Sequence, residues 1–245
     1  MPLIHIYIIY VINKLSLRQG AASGIYPLEI DILMDDPSFR PASPPRPLRI
    51  GDTAPDFQAR TTMGEVKLSG YRGRWLIFFS HPADFTPVCT TEFVALAREA
   101  ARFEALNCAL LGLSVDSLFS HLAWIRAIRD AFGVTVPFPL VEDPSMAVGR
   151  GYGMVDETAP DSATVRASYF IDPQGIIRAM TWYPHNVGRS VEETLRLLAA
   201  LQSTADDKAL APEGWKPGET LLAPPASSMA EMQDGADWFC HGVKA

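Results

Sequence analysis

Six residues, Trp75 to Ser80 (WLIFFS), run apolar almost without a break between Gly73 and Pro82, and no other feature limits the fold so much. A strand with one wet face alternates apolar and polar residues, whereas a short continuous run belongs to a strand covered on both faces. After it, Phe93, Leu96, Ala97, Ala100, Phe103 and Leu106 recur at three- and four-residue steps, which predicts one amphipathic helix. Ala109 to Val115 (ALLGLSV) predicts a second buried strand, and Ser117 to Phe132 a second helix turned inward through Leu118, Leu122, Ile125 and Ile128. Strand, helix, strand, helix in this order calls for an α/β fold, a mainly parallel sheet with helices on both faces and right-handed crossovers.

Shorter signals complete the domain. A hairpin is expected around Thr62, Met63 and Gly64, with arms Phe57 to Arg60 and Glu65 to Leu68. Phe138 to Val141 suits a short strand and Ser145 to Gly149 a short helix. Asp172-Pro173-Gln174-Gly175 has the composition of a tight turn, joining Ala167 to Ile171 with Ile176 to Trp182 as a second hairpin. A last helix is expected from Ser190 to Gln202, inward through Val191, Leu195, Leu198 and Leu201. The prolines crowded between Asp35 and Pro55 deny both helix and ladder hydrogen bonding, so they read as a linker. The resulting division is an N-terminal extension at 1–48, a folded domain at 49–204 and a Pro- and Gly-rich C-terminal arm at 205–245. The apolar run from Pro2 to Asn13 is too short for a bilayer and has no basic segment ahead of it, so it reads as a disordered or misassigned leader, with Met34 as the expected start.

A net charge of -7 argues against nucleic acid and anionic membrane as partners, since both call for clustered Lys and Arg. The three cysteines, Cys89, Cys108 and Cys240, are too few and too scattered for a disulfide framework and fit a reducing, cytoplasmic compartment. None stands at C-x-x-C spacing, so redox chemistry here must begin from one isolated thiol.

Cys89 lies after the buried strand, where SHPADFTPVCTTE opens the following helix. A helix start presents unpaired N–H groups and partial positive charge, which favour a thiolate and hence a nucleophile. Thr86, three residues earlier, can turn its hydroxyl to the sulfur, and Pro82 and Pro87 stiffen the loop. The plain alternative is a small buried cysteine, the commonest fate of a free one.

Pro82-x-x-x-Thr86-x-x-Cys89 resembles the active-site signature of the peroxiredoxins, and FFSHPADFTPVCTTE resembles the branch that includes the one-cysteine enzymes. The likeness continues through Asp116-Ser117, His121-Leu122-Ala123-Trp124, Pro137-Phe138-Pro139, Arg166, Tyr183-Pro184 and Gly188-Arg189, from about Ile50 to Gly218. It implies a thioredoxin-like fold with a central mixed sheet, and a thiol peroxidase that needs no cofactor or metal. Cys89 would then be the thiolate that attacks hydrogen peroxide or an organic hydroperoxide and becomes a sulfenic acid. By the same likeness Thr86 would bind the peroxide, Arg166 would stabilise the thiolate and the leaving oxygen, and Pro82 would shield the site. Arg189 and Glu92 would orient this arginine; His81 would lie near the pocket or simply cap the strand end.

The likeness also extends to Cys240, which follows Trp238-Phe239 like the resolving cysteine of archaeal and bacterial relatives. Those relatives often carry a further cysteine where this chain has Gln233 to Ala236. On this reading Cys240 condenses with the sulfenic acid of the partner subunit in a homodimer or ring of dimers, and a thioredoxin-type donor reduces the disulfide. If Cys240 is instead a bystander, an external thiol reduces Cys89 directly. Cys108 reads as a structural thiol. Some family members carry a lipase Gly-x-Ser-x-Gly; here Arg74 stands in the serine's place, so no nucleophile elbow is expected. Two readings from other classes compete: a redox-responsive chaperone or signalling protein, and a metal site built from Cys89, His81 and His185, whose spacing matches no familiar pattern.

Overall fold

The computed structural model of the chain describes residues 46–155, 161–229, 232 and 239–243. The N-terminal extension, including the apolar run and Met34, lies outside the described residues. From Pro47 onward the chain forms one unit. Its sheet has seven strands, in chain order β1 (Gln58–Thr61), β2 (Gly64–Lys67), β3 (Trp75–Ser80), β4 (Cys108–Ser114), β5 (Leu140–Glu142), β6 (Arg166–Ile171) and β7 (Ile177–Tyr183), arranged β2-β1-β5-β4-β3-β6-β7. β3–β4 and β4–β5 pair in parallel and the other four pairs are antiparallel, so the sheet is mixed as the resemblance implies and not mainly parallel as the strand-helix alternation alone suggests, because the two hairpins add antiparallel strands at its edges.

β3 lies inside the sheet, between β4 and β6, because it can afford to: all six of its residues are buried. Each large side chain removed from water there contributes about 1.5–3 kcal/mol. Trp75, Ile77 and Phe79 enter one core, Leu76 and Phe78 the other, following the two-residue period of a strand. The first core lies under α1 (Pro87–Arg98), α2 (Ala100–Ala105), α3 (Leu118–Phe132) and α5 (Val191–Ser203), through Phe93, Phe103, Trp124, Ile128, Leu195 and Leu198. The second face is covered by Tyr152, Met154 and Leu68, with Val148 of the short α4 (Ala147–Gly151) packed on them.

Three further expectations change. The helix predicted across Phe93 to Leu106 is two, broken at Glu99, where the backbone leaves helical geometry (φ −96°, ψ 5°). A three-four spacing survives a break of one residue, so periodicity alone does not reveal it. On α3 the buried stripe is His121, Trp124 and Ile128, while Leu122 faces solvent. Beyond α5 the chain is not simply extended: Trp215 and Leu221 pack on Ala199 and Ala200, and β8 (Leu221–Leu222) pairs antiparallel with β9 (Gly242–Val243). Among the described residues no helix is long and apolar enough to cross a membrane.

Candidate active site

The loop leaving β3 turns sharply into α1. Phe85 takes a left-handed conformation (φ 57°), uncommon for a bulky residue and costly by roughly 1–3 kcal/mol unless its surroundings impose it. Thr86 is the N-cap residue in extended geometry and Pro87 fills the first helical position, where a missing N–H costs nothing. The Thr86 hydroxyl does not cap the helix; it donates to the Ala83 carbonyl at 2.8 Å. Cys89 therefore falls on the first turn of α1, wholly buried. Pro82 is buried in the loop that leads to it.

Strand alternation then sends Arg166 to Cys89. Phe170 of β6 belongs to the core beneath α1, and Arg166, two pleats earlier, projects to the same side. Its Nη1 donates to Cys89 Sγ at 3.3 Å and to Glu92 Oε2 at 2.7 Å. Its Nε and Nη2 both donate to the carbonyl of His185, at 3.1 and 2.8 Å, which fixes the plane of the guanidinium. Glu92, one turn along α1 from Cys89, also accepts from Arg189 Nε and Nη2 at 2.9 and 3.0 Å and from its backbone N at 2.7 Å. Arg189 Nη1 reaches the Ala167 carbonyl and Ser168 Oγ, and its guanidinium carbon lies 5.2 Å from the Phe79 ring centre.

Electrostatics follow from the count of charges. Burial works against a charged Glu92, but hydrogen bonds from Arg189 and the charge of Arg166 hold its carboxyl below the usual carboxylate range. One carboxylate thus faces two guanidiniums in a nearly dry setting, with Arg166 2 % and Glu92 4 % exposed. A single positive charge remains over, and an anionic sulfur at Cys89 would balance it.

Among the described residues His81 makes no hydrogen bond to this ion cluster. It is wholly buried; its backbone closes the end of β3, with N donating to the Leu113 carbonyl and the carbonyl accepting from Thr164 Oγ1. Its Nε2 meets Asp84 Oδ1 at 2.9 Å, and Asp84 also bonds His121. Sequence reasoning assigned nothing to Asp84, to His121 beyond its place in the likeness, or to the His185 carbonyl. Burial of His121 could have been suspected from Trp124 one turn away; a backbone oxygen leaves no trace in residue type. Among the described residues, His81, Asp84 and His121 are the one grouping of His, Cys and acidic side chains tight enough to suggest a metal, and Cys89 and His185 are not in it.

Cys108 is buried on β4, and burial pushes its thiol up to about 12, so it stays protonated and inert. Cys240 is exposed, two residues before β9, whose pairing with β8 sets its place on the chain's own C-terminal segment. A cavity of about 800 Å³ lies between α2, α5 and Lys216–Pro217, with Cys89 outside its lining.

Comparison with known proteins agrees with this geometry. The AhpC/TSA family model matches residues 50–180, and that for the C-terminal domain of 1-Cys peroxiredoxin matches 200–234. A peroxiredoxin of Thermoplasma volcanium is 45% identical over 204 residues, covering 81% of this chain and all of the relative. One from Aquifex aeolicus is 42% identical, covering 78% of this chain and 94% of its own. Among solved structures, a yeast mitochondrial 1-Cys peroxiredoxin superposes with a TM-score of 0.74 at 36% identity, over 81% of this chain and 100% of that one. A Plasmodium vivax 2-Cys peroxiredoxin gives 0.66 at 31% identity, over 72% of this chain and 93% of that one. With a family model across more than half of the 245 residues and relatives aligned along their full length, the chain belongs to the peroxiredoxins, thiol peroxidases of thioredoxin-like fold.

Proposed function

We propose that Cys89 is the peroxidatic residue and that it reduces hydrogen peroxide and small organic hydroperoxides. The observation that carries this reading is the 3.3 Å contact from Arg166 Nη1 to a buried sulfur on a helix's first turn. In the reaction the thiolate attacks one peroxide oxygen, the O–O bond breaks, and Cys89 becomes a sulfenic acid while the other oxygen leaves as hydroxide or alkoxide. Arg166 stabilises the thiolate before attack and the charge on the leaving oxygen after it. Thr86, whose O–H donates to the Ala83 carbonyl, offers its oxygen lone pairs to the peroxide O–H. Pro82 keeps water from the sulfur, and Glu92 and Arg189 hold Arg166 in register.

The sulfenic acid is then resolved by Cys240 of the partner subunit: its thiol displaces water and forms an intersubunit disulfide, which a thioredoxin-type dithiol reduces. Exposure of Cys240 supports this, as does its position in an arm, 205–245, that follows the 49–204 domain. The sheet ends on β7 with Trp182 exposed, an edge suited to the homodimer or ring of dimers this step needs. The protein works in the cytoplasm, where such donors are kept reduced. A second reading keeps Cys89 and drops Cys240, with an external thiol as reductant; the similar yeast enzyme is described as resolved through glutathione/thioredoxin systems.

Peroxide consumption coupled to a thioredoxin system, compared between wild type, Cys89→Ser and Cys240→Ser, tests both. Loss in both variants, with a reducible dimer only in wild type, supports the two-cysteine route. Loss in Cys89→Ser alone supports the second reading, and turnover by Cys89→Ser rules out the first assignment altogether.

A further inference from the structure

The peroxidase reading makes no use of the buried group formed by His81, Asp84 and His121, yet every hydrogen bond in it can be assigned. His121 Nε2 is 3.1 Å from the Val141 carbonyl on β5, and a carbonyl only accepts, so Nε2 carries hydrogen. Its Nδ1 lies 3.1 and 2.9 Å from the two oxygens of Asp84, the forked approach of one N–H to a carboxylate. His81 Nδ1 is buried with no partner among the described residues. A bare lone pair is cheaper to bury than a bare N–H, so His81 is neutral, carries its hydrogen on Nε2 and donates to Asp84. Burial pushes His81 the same way, toward its neutral form, while Asp84 is held below the usual carboxylate range by its two histidines despite burial. The same count argues against a metal at this place. A cation on His81 Nε2 would drive the proton to Nδ1, where no group among the described residues accepts it.

The other charged groups acting on the cluster are Asp116, on the connection from β4 to α3, and Glu142, on β5. Asp116 Oδ2 accepts from the Asp84 backbone N at 3.0 Å, and Glu142 is tied to Leu118 N and Arg60. Both are acidic, which suits a cationic His121 ring. Asp84 is thereby fastened to the β4–α3 connection, to α3 and, through His121, to β5. Next to it sits Phe85 with its left-handed backbone, and Phe85 is 58% exposed, so burial of its side chain does not hold that turn in place.

We propose that Asp84 is a positioning residue for the peroxide reaction of Cys89, acting through a His121 ring protonated on both nitrogens to pin the loop that carries Pro82 and Thr86. Without this anchor Phe85 relaxes to ordinary backbone geometry and the Thr86 hydroxyl loses the orientation that its bond to the Ala83 carbonyl gives it. The thiolate itself, held by Arg166, persists. The proposal rests on Cys89 being the reacting thiol, and the wild-type protein tests that part separately.

The test measures the second-order reaction of Cys89 with hydrogen peroxide and with iodoacetamide, in wild type and in Asp84→Asn. Misplacing a reacting group by about 1 Å costs on the order of 100-fold, so peroxide reactivity should fall by about that factor while alkylation stays within about threefold. No loss toward peroxide, or equal loss toward both reagents, overturns the proposal; a wild type inert to peroxide overturns the peroxidase reading instead. Should Asp84→Asn fail to fold, the wild-type protein still decides. With only five histidines, nitrogen-15 labelling resolves the rings, and the His121 signals are identified by their loss in His121→Asn. Both His121 nitrogens should be protonated at neutral pH, and a singly protonated His121 overturns the proposal.

Discussion

Arg166 illustrates how one side chain can be over-determined by its neighbours. Five hydrogen-bond directions are available to a guanidinium. Here four hydrogen bonds go to a sulfur, a carboxylate and a backbone carbonyl. Replacing it by glutamine removes the charge that faces Cys89 and leaves Glu92 with Arg189 alone. Arg166→Gln should therefore lower the peroxide rate constant by about 100- to 1000-fold, the usual cost of one such donor, as stopped-flow mixing would reveal. The remaining cysteines differ in kind. Cys108, buried with its thiol raised to about 12, should resist alkylation in the native protein, while exposed Cys240 should be fully labelled, a contrast that peptide mass mapping resolves.

At the scale of elements, α1 presents Cys89, Glu92, Phe93 and Leu96 inward at three- and four-residue spacing, so one face serves both the core and the chemistry. Glu92 therefore links stability to pH. Its folded-state pKa lies below the ordinary value of 4.5, so the stability it contributes is present above that pH and is lost as pH falls below it. Glu92→Gln should be less stable than wild type at neutral pH and should show a shallower decline between about pH 5 and pH 3 in denaturant titrations. A parallel decline in the two proteins would mean that the carboxylate is not held by Arg166 and Arg189.

The elements were also where sequence carried furthest. WLIFFS marks β3 to the residue because a strand buried on both faces is apolar along almost all of its length. Ser117 and Ser190 marked helix starts, and each caps its helix through its side chain. The site was legible in part. Cys89, Thr86 and Pro82 stand together in one loop, so their chemistry could be argued from local order. Arg166 and Arg189 come from 77 and 97 residues away, to Cys89 and Glu92 respectively, and only the family resemblance pointed to them. Asp84 and His121 escaped attention because a loop acid and a mid-helix histidine are ordinarily surface residues.

The whole molecule adds a third, smaller core at its C-terminal end. Trp215 is buried against Ala199, Ala200 and Leu221, its indole N–H donates to the Glu219 carbonyl, and its own carbonyl accepts from Arg196. This anchors the segment that leads to Cys240. Trp215→Ala should cost about 3–5 kcal/mol of local stability, visible as faster amide exchange across 210–222, and should leave the first oxidation of Cys89 at its wild-type rate. Slowed peroxide reaction in that variant would tie the arm to the active site within one subunit. The account as a whole depends on which sulfur a peroxide meets first. Treating the reduced protein with one equivalent of hydrogen peroxide in the presence of dimedone, followed by peptide mass mapping, reads this directly. The sulfenic acid adduct should appear on Cys89 and vanish in Arg166→Gln at the same exposure time; an adduct first on Cys108 or Cys240, or none on Cys89, would contradict it.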